Sequence, residues 1–184
     1  MSAQSPTLSQ PTFETWAAGD GTVITIRPIC AADLALEQEF VNGLSVPTGY
    51  QRLMSARRPS LEELRRFTDI DYERELALIA TTPVQGRERQ IGVARYVKES
   101  SPGDAEFAIV LSDDWQGRGL GTRLLVSLLV AAKSHGVRRL VGTTLSENDG
   151  MLGLGRKLGF QLATDPGSAT ITNLTLDLAA WPHG

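Results

Sequence analysis

Thiols and imidazoles are nearly missing from this sequence, which has one cysteine, Cys30, and two histidines, His135 and His183, among 184 residues. A lone cysteine forms no internal disulfide and has no companion for a thiolate metal site. This fits a reducing cytoplasm, with Cys30 expected as a small buried or half-buried side chain. Two histidines cannot supply a zinc hydrolase site or a Ser-His-Asp arrangement. His135 is expected to end a helix, where a cation complements the dipole, and His183 to lie in a terminal tail. Long apolar runs are also absent. None reaches the roughly 18 residues that span a bilayer, and the N-terminus has neither a basic region nor an apolar signal core. Positive charge is not in excess: 18 Lys and Arg against 21 Asp and Glu give a net charge of -3. General attraction for nucleic acid or an anionic membrane is therefore excluded, although a local basic patch could still hold phosphate groups. The expectation is a soluble, cytoplasmic protein without a metal.

With 41% hydrophobic residues, the chain can bury one core and is too short for two ordinary domains. The first dozen residues are rich in Ser, Pro and Gln and offer nothing to a core. We therefore expect a disordered tail over 1–20, one domain over 21–180 and a short tail over 181–184.

Within the domain, Val23 to Arg27 reads as a strand closed by Pro28, and Ala31 to Phe40 as a helix through Leu34, Leu36 and Phe40. Pro47 breaks that helix. Ser60 and Glu63 form a capping box for a second helix containing Leu61, Leu64 and Phe67. Between the two lies a loop-rich insertion with Tyr50, Arg52, Arg57 and Arg58. Leu76 to Ala80 and Ile91 to Val97 read as antiparallel strands joined by a hairpin loop over Pro83 to Arg89. The continuous apolar run Phe107 to Leu111 is that of a strand covered on both faces. Beyond it, Leu124, Leu125, Leu128, Leu129 and Ala132 recur at helical spacing, up to a left-handed cap at Gly136. Arg139 to Thr144 reads as a strand, Gly150 to Leu158 as a short helix and Ala169 to Leu178 as a final strand.

The strongest local signal stands between the apolar strand and its amphipathic helix: Gln116-Gly117-Arg118-Gly119-Leu120-Gly121. Glycines let a backbone turn sharply and approach a ligand, so that several N–H groups at a helix N-terminus converge on a pyrophosphate. Dinucleotide-binding turns use the same physics with G-x-G-x-x-G after the first strand of a βαβ unit. Here the spacing differs and four strands come first. A bare glycine connection of strand to helix is the plain alternative.

Gln116, Gly119 and Gly121 match the signature of the GNAT superfamily of acetyl-CoA-dependent N-acetyltransferases, namely Gln or Arg, two residues, Gly, one residue, then Gly or Ala. The chain resembles that family from about Val23 to Leu178. The resemblance implies an α/β (α+β) fold, a single domain with a mixed, mostly antiparallel sheet of six to seven strands flanked by about four helices. It also implies a sheet splayed after the fourth strand to admit pantetheine. The backbone of Val110 and Leu111 would then pair with pantetheine, and the N–H groups of Gln116, Gly117, Arg118, Gly119, Leu120, Gly121 and Thr122 would hold the pyrophosphate of acetyl-CoA. Asn148 stands where such enzymes place an asparagine near the cofactor thiol, and it is equally placed as a helix N-cap. Arg118 and Arg123 could screen phosphates or simply be solvated.

The stretch Arg65 to Ala80, with Ala105-Glu106-Phe107 and Arg156 to Phe160, is similar to the acetyltransferase domain of bacterial Pat-type protein lysine acetyltransferases. Those enzymes modify metabolic enzymes such as acyl-CoA synthetases, which makes a protein with an exposed lysine the expected partner. Known relatives often carry a fused regulatory domain, for which this chain has no room. A lysine amine, with an ordinary pKa near 10.4, is mostly protonated at pH 7 and needs a proton acceptor before it attacks a thioester. Glu106 matches the glutamate of the Pat-type pattern and is the catalytic candidate, against the plainer role of a solvated strand end. Many family members place a tyrosine after the cofactor asparagine as a general acid. Here Tyr50, Tyr72 and Tyr96 all precede the glycine turn, so no acid is assigned. Two other readings remain open: acetylation of a small amine such as a polyamine, aminoglycoside or amino acid, and a non-catalytic acyl-CoA-sensing module.

Overall fold

The computed structural model describes residues 14–53 and 58–182. Eight strands form a single sheet: β1 Glu14–Ala17, β2 Val23–Pro28, β3 Glu75–Val84, β4 Arg87–Lys98, β5 Asp104–Leu111, β6 Arg139–Leu145, β7 Gln161–Asp165 and β8 Ser168–Asp177, in the spatial order 1-2-3-4-5-6-8-7. Five α-helices accompany them: α1 Leu34–Gly43, α2 Val46–Leu53, α3 Leu61–Thr68, α4 Leu120–Ser134 and α5 Asp149–Leu158. Every strand pair is antiparallel except β5 with β6. A parallel pair needs a crossover, and α4 supplies it. The β3–β4 hairpin closes through Gln85 and Gly86, both at positive φ, the geometry of a tight two-residue turn.

Both faces of the sheet are covered. The buried side of α4, with Leu124, Leu125, Leu128 and Leu129 at 0% exposure, packs with Ile24, Leu76, Tyr96 and Phe107. Phe40 and Val41 of α1 and Leu64 of α3 pack with Ile79, Val93 and Val110 on the other face. This explains why β3 is buried without interruption from Glu75 to Thr82. Buried Glu75 keeps its charge paired, with Arg66 at 2.7 Å.

Several expectations change. Glu14 to Ala17, inside the stretch read as tail, form strand β1, which pairs with β2, and Glu14 accepts from Ser127 at 2.8 Å and forms an ion pair with Arg123. Trp181, at the start of the expected terminal tail, is buried, with its carbonyl accepting from Lys133 at 3.1 Å. α1 ends at Gly43, ahead of Pro47, which stands instead in the first turn of α2, where the N–H that proline lacks has no helical partner to lose. The insertion is thus partly helical. β7 went unread because Gln161 to Asp165 is mostly exposed and lacks an apolar alternation. Cys30 is exposed, at the N-cap of a 3-10 turn over Ala31–Asp33. Arg57 and His183 lie outside the described residues, as does the side chain of Arg52.

Candidate active site

The site begins where the sheet opens. β5 and β6 pair only at Asp104 with Arg139, Ala105 with Leu140 and Glu106 with Val141. Beyond Glu106, β5 runs on to Leu111 with β4 alone beside it, from Phe107 opposite Tyr96 to Leu111 opposite Gly92. One edge of a strand is thus left open by β6 over five residues. A cleft of about 660 Å³ occupies the gap. Glu106, Val110, Leu111, Gln116, Gly117, Gly119, Gly121, Thr122 and Asn148 all line it. Thus residues named from three separate stretches of sequence meet in one place.

Ser112 and the 3-10 turn Asp113–Trp115 carry the chain from β5 toward α4. Gly119 is the N-cap of α4 at φ +84, in the left-handed region where a side chain is strained. With no capping side chain there, the first N–H groups of α4 have no helical acceptor. A Cβ at position 121 would stand 3.3 Å from Leu111 Cδ1 and 3.6 Å from Leu154 Cδ2. Amides without acceptors, at the positive end of a helix of 15 residues, suit an oxyanion or phosphate. Beside them runs an open strand edge that suits an amide-bearing arm.

Two predicted residues contribute less than their side chains suggest. Leu120 is fully buried in the core and does not line the cleft. Arg118 does not line the cleft; its guanidinium lies 5.3 Å from the centre of the Trp115 ring and 3.6 Å from Asp20. Asn148 is an N-cap, its Oδ1 accepting from Met151 N at 3.1 Å while its Nδ2 donates to Thr144 Oγ1 at 3.1 Å. It also lines the cleft. Gln116 donates long hydrogen bonds to Thr48 Oγ1 at 3.3 Å and Leu111 O at 3.4 Å.

At the other end of β5, Glu106 is exposed within the cleft, alongside Arg95, Phe67 and Ala108. The Arg95 guanidinium lies over the Phe67 ring at 4.9 Å and donates to Phe67 O at 2.9 Å. No tyrosine lines the cleft. Tyr96 is buried and bonded to His135 Nδ1 at 2.8 Å, Tyr72 donates to Ile29 O, and Tyr50 is exposed on α2. His135 does end a helix, as the C-cap of α4, and burial first, then the charge of Lys98, holds its pKa below the ordinary value.

The insertion after α1 is tied to the turn that leads into α4. Asp113 accepts from Ser45 N at 3.0 Å, Ser45 Oγ at 2.6 Å and Thr48 Oγ1 at 2.8 Å. Burial works to raise its pKa, but the bonds from Ser45 and Thr48 outweigh burial and hold the carboxyl below its usual value. In and after the insertion, Arg58 reaches Asn42 Oδ1 at 3.0 Å and Asp71 accepts from Glu73 N at 3.0 Å. Neither they nor Asp69 line the cleft. Thr48, Phe67, Arg95, Thr143, Thr144 and Lys157 do, and none was singled out for the site, since no local motif marks them.

The family model for the acetyltransferase (GNAT) domain matches residues 24–161. An acetyltransferase of Pseudomonas aeruginosa is 32% identical over 152 residues, covering 82% of each chain. This chain belongs to the GNAT acetyltransferase family.

The acetyltransferase takes acetyl-CoA as its co-substrate, and the open strand edge and amide-rich turn fit that ligand. It is similar over 138 residues, at 32% identity, to the acetyltransferase Pat of Mycolicibacterium smegmatis, covering 73% of this chain but 40% of that relative. The GNAT domain of S. lividans PAT superposes with a TM-score of 0.80 at 25% identity, over 90% of this chain and 96% of that one. A shorter match, 35% identical over 65 residues, is to an L-methionine sulfoximine/L-methionine sulfone acetyltransferase of Pseudomonas aeruginosa; it covers 35% of this chain and 38% of that relative. Among the described residues no helix is long and apolar enough to cross a membrane, and no group of three or more His, Cys, Asp or Glu is placed to hold a metal.

Proposed function

We propose that this acetyltransferase acetylates the side-chain amine of a lysine on a folded protein, such as an acyl-CoA synthetase, with Glu106 as proton acceptor. The observation that carries this reading is the position of Glu106. It stands at the parting of β5 and β6, five residues before Leu111. At about 3.3 Å per residue, this is roughly 16 Å along the strand from the end that meets the glycine turn. A ligand anchored by phosphate at the turn and lying along the open edge would present its far end beside Glu106.

Acetyl-CoA supplies the thioester, and its thiol, with an ordinary pKa near 8.5, makes a fair leaving group. The backbone of Val110 and Leu111 holds the pantetheine arm, and the amides from Gln116 to Thr122 hold the pyrophosphate. Asn148, already capping α5, borders the cleft near the thiol end. Glu106 takes the proton of the acceptor ammonium, directly or through one water, so that the free amine can form the new N–C bond as the C–S bond breaks; CoA departs as the thiolate, which takes up the second amine proton directly or through water. Phe67 and Arg95 border the acceptor approach, and a docked protein surface supplies orientation that a free amine lacks. We place the reaction in the cytoplasm, in keeping with a lone unpaired thiol at Cys30.

The test compares kcat/KM for an intact acyl-CoA synthetase, its lysine-containing peptide and a panel of small amines, with mass spectrometry of modified lysines in a lysate. The intact protein is expected to be the best substrate. A polyamine, aminoglycoside or amino acid preferred by tenfold or more overturns the protein-substrate reading. Such a result would favour the small-amine reading, for which the sulfoximine-acetylating relative is the observation at hand.

A further inference from the structure

The cations that the sequence sets beside the glycine turn are engaged elsewhere. Arg118 lies over Trp115 and Arg123 pairs with Glu14. The cation that reaches the turn comes from 35 residues beyond Thr122: Lys157, on the last turn of α5, lines the cleft and places its Nζ 3.2 Å from Thr122 Oγ1. Thr122 is the third residue of α4, so the ammonium stands beside the N–H groups that have no helical acceptor. Among the described residues no carboxylate lies within ion-pair distance of Lys157. The charged residues of the cleft are also segregated. Arg95 and Glu106 stand at the acceptor end, and Lys157 alone at the turn.

We propose that Lys157 is a ligand-binding residue that holds a pyrophosphate oxygen of the CoA moiety, supplying the full positive charge that the amide turn lacks. The proposal rests on the reading of the cleft as the acetyl-CoA site. Backbone N–H groups and the helix dipole provide direction and partial charge, whereas a pyrophosphate is doubly charged and needs compensation. An ammonium on a flexible stem can leave a weak neutral partner such as Thr122 Oγ1 and move onto phosphate as the ligand arrives. The competing role is a cation that complements the C-terminus of α5, which Arg156 in the same turn already serves.

Calorimetry with CoA and with dephospho-CoA, which keeps the pyrophosphate but lacks the 3′-phosphate, separates these roles in the parent, Lys157→Met and Lys157→Arg. Lys157→Met is expected to weaken both ligands by the same factor, roughly tenfold. Its melting temperature should stay unchanged and its dependence of Kd on salt should become shallower than the parent's. Lys157→Arg should retain most of the affinity. Unchanged affinity for both ligands in Lys157→Met, with or without a lower melting temperature, overturns the proposal and leaves the helix-end role. A loss confined to CoA overturns it in favour of the 3′-phosphate. A parent protein that binds neither ligand brings down the cofactor reading of the cleft itself, a result distinct from any of these.

Discussion

Glu106 stands opposite Val141 in the last register that joins β5 to β6, and from Phe107 onward the two strands have parted. The carboxylate and the open strand edge therefore arise from one feature of the sheet. A residue earlier, the side chain would sit on the opposite face; further along, it would lie toward the phosphate end rather than the mouth.

Replacing Glu106 with Gln is expected to leave acetyl-CoA affinity as it is and to lower kcat/KM near pH 7 by about 10²–10⁴. Part of the loss should return as pH rises toward the lysine pKa near 10.4, because the acceptor then arrives unprotonated. Pre-steady-state and calorimetric measurements from pH 7 to 9.5 check this. Equal turnover of variant and parent throughout moves the base elsewhere.

Gly119→Val and Gly121→Val should both abolish acetyl-CoA binding, for different reasons. At Gly119, with φ +84, any L side chain costs about 1–2 kcal/mol of backbone strain, so stability falls along with binding. At Gly121 the backbone is ordinary, and the added group meets Leu111 Cδ1 at 3.3 Å, inside the cleft. Thermal melts combined with calorimetry distinguish the two, and full binding by both variants removes the turn from the ligand.

Asp113→Ala should release α2 from the glycine turn, since Ser45 and Thr48 lose their shared acceptor. Hydrogen exchange of the amides in α2 is expected to quicken by tenfold or more while β4 and β5 stay protected. Unchanged exchange in α2 means that other contacts hold it. The paired carboxyl has a lowered folded pKa, so its stabilisation is present above its usual pKa of 3.8 and is lost as pH falls through the folded value.

His135 predicts a loss of stability on mild acidification. Burial and Lys98 lower its folded pKa below the ordinary 6.5, so the unfolded chain binds more protons as pH drops. Stability should decline below about pH 6.5 and level off once the folded value is passed. Urea unfolding at pH 7.5, 6 and 5 measures this, and His135→Gln should flatten the His135 part of the curve. Its partner Tyr96, pushed up to about 12 by burial, acts at the other extreme, with stabilisation present below about pH 10 and lost as pH rises toward 12.

The glycine turn was legible because its requirements are local. Gly119 at positive φ, the apolar run of β5 and the spacing of Leu124, Leu125 and Leu128 are each set by neighbours within a few residues. Ser60 and Glu63 were legible as a capping box for the same reason, and their reciprocal bonds, at 3.2 and 2.8 Å, are present. For the arginines around the turn the sequence left two roles open, and Arg118 lies over Trp115 while Arg123 answers to Glu14, partners that spacing along α4 does not reveal. β1 and β7 were unreadable in isolation. Their short sequences carry little apolar signal, and they exist because β2 and β8 offer them an edge.

Residue order alone was enough for the turn, because glycine geometry and hydrophobic period act over one or two turns of chain, while the family and Glu106 as the proton-acceptor candidate came from the resemblance of short motifs. Only the folded molecule decided which side chains share the cleft. Lys157 meets Thr122 across 35 residues, Thr48 meets Asp113 across 65, and Tyr96 withdraws into the core with His135. Those meetings depend on how α2, α4 and α5 pack on the sheet, a sum of many weak apolar contacts that no short stretch of sequence encodes.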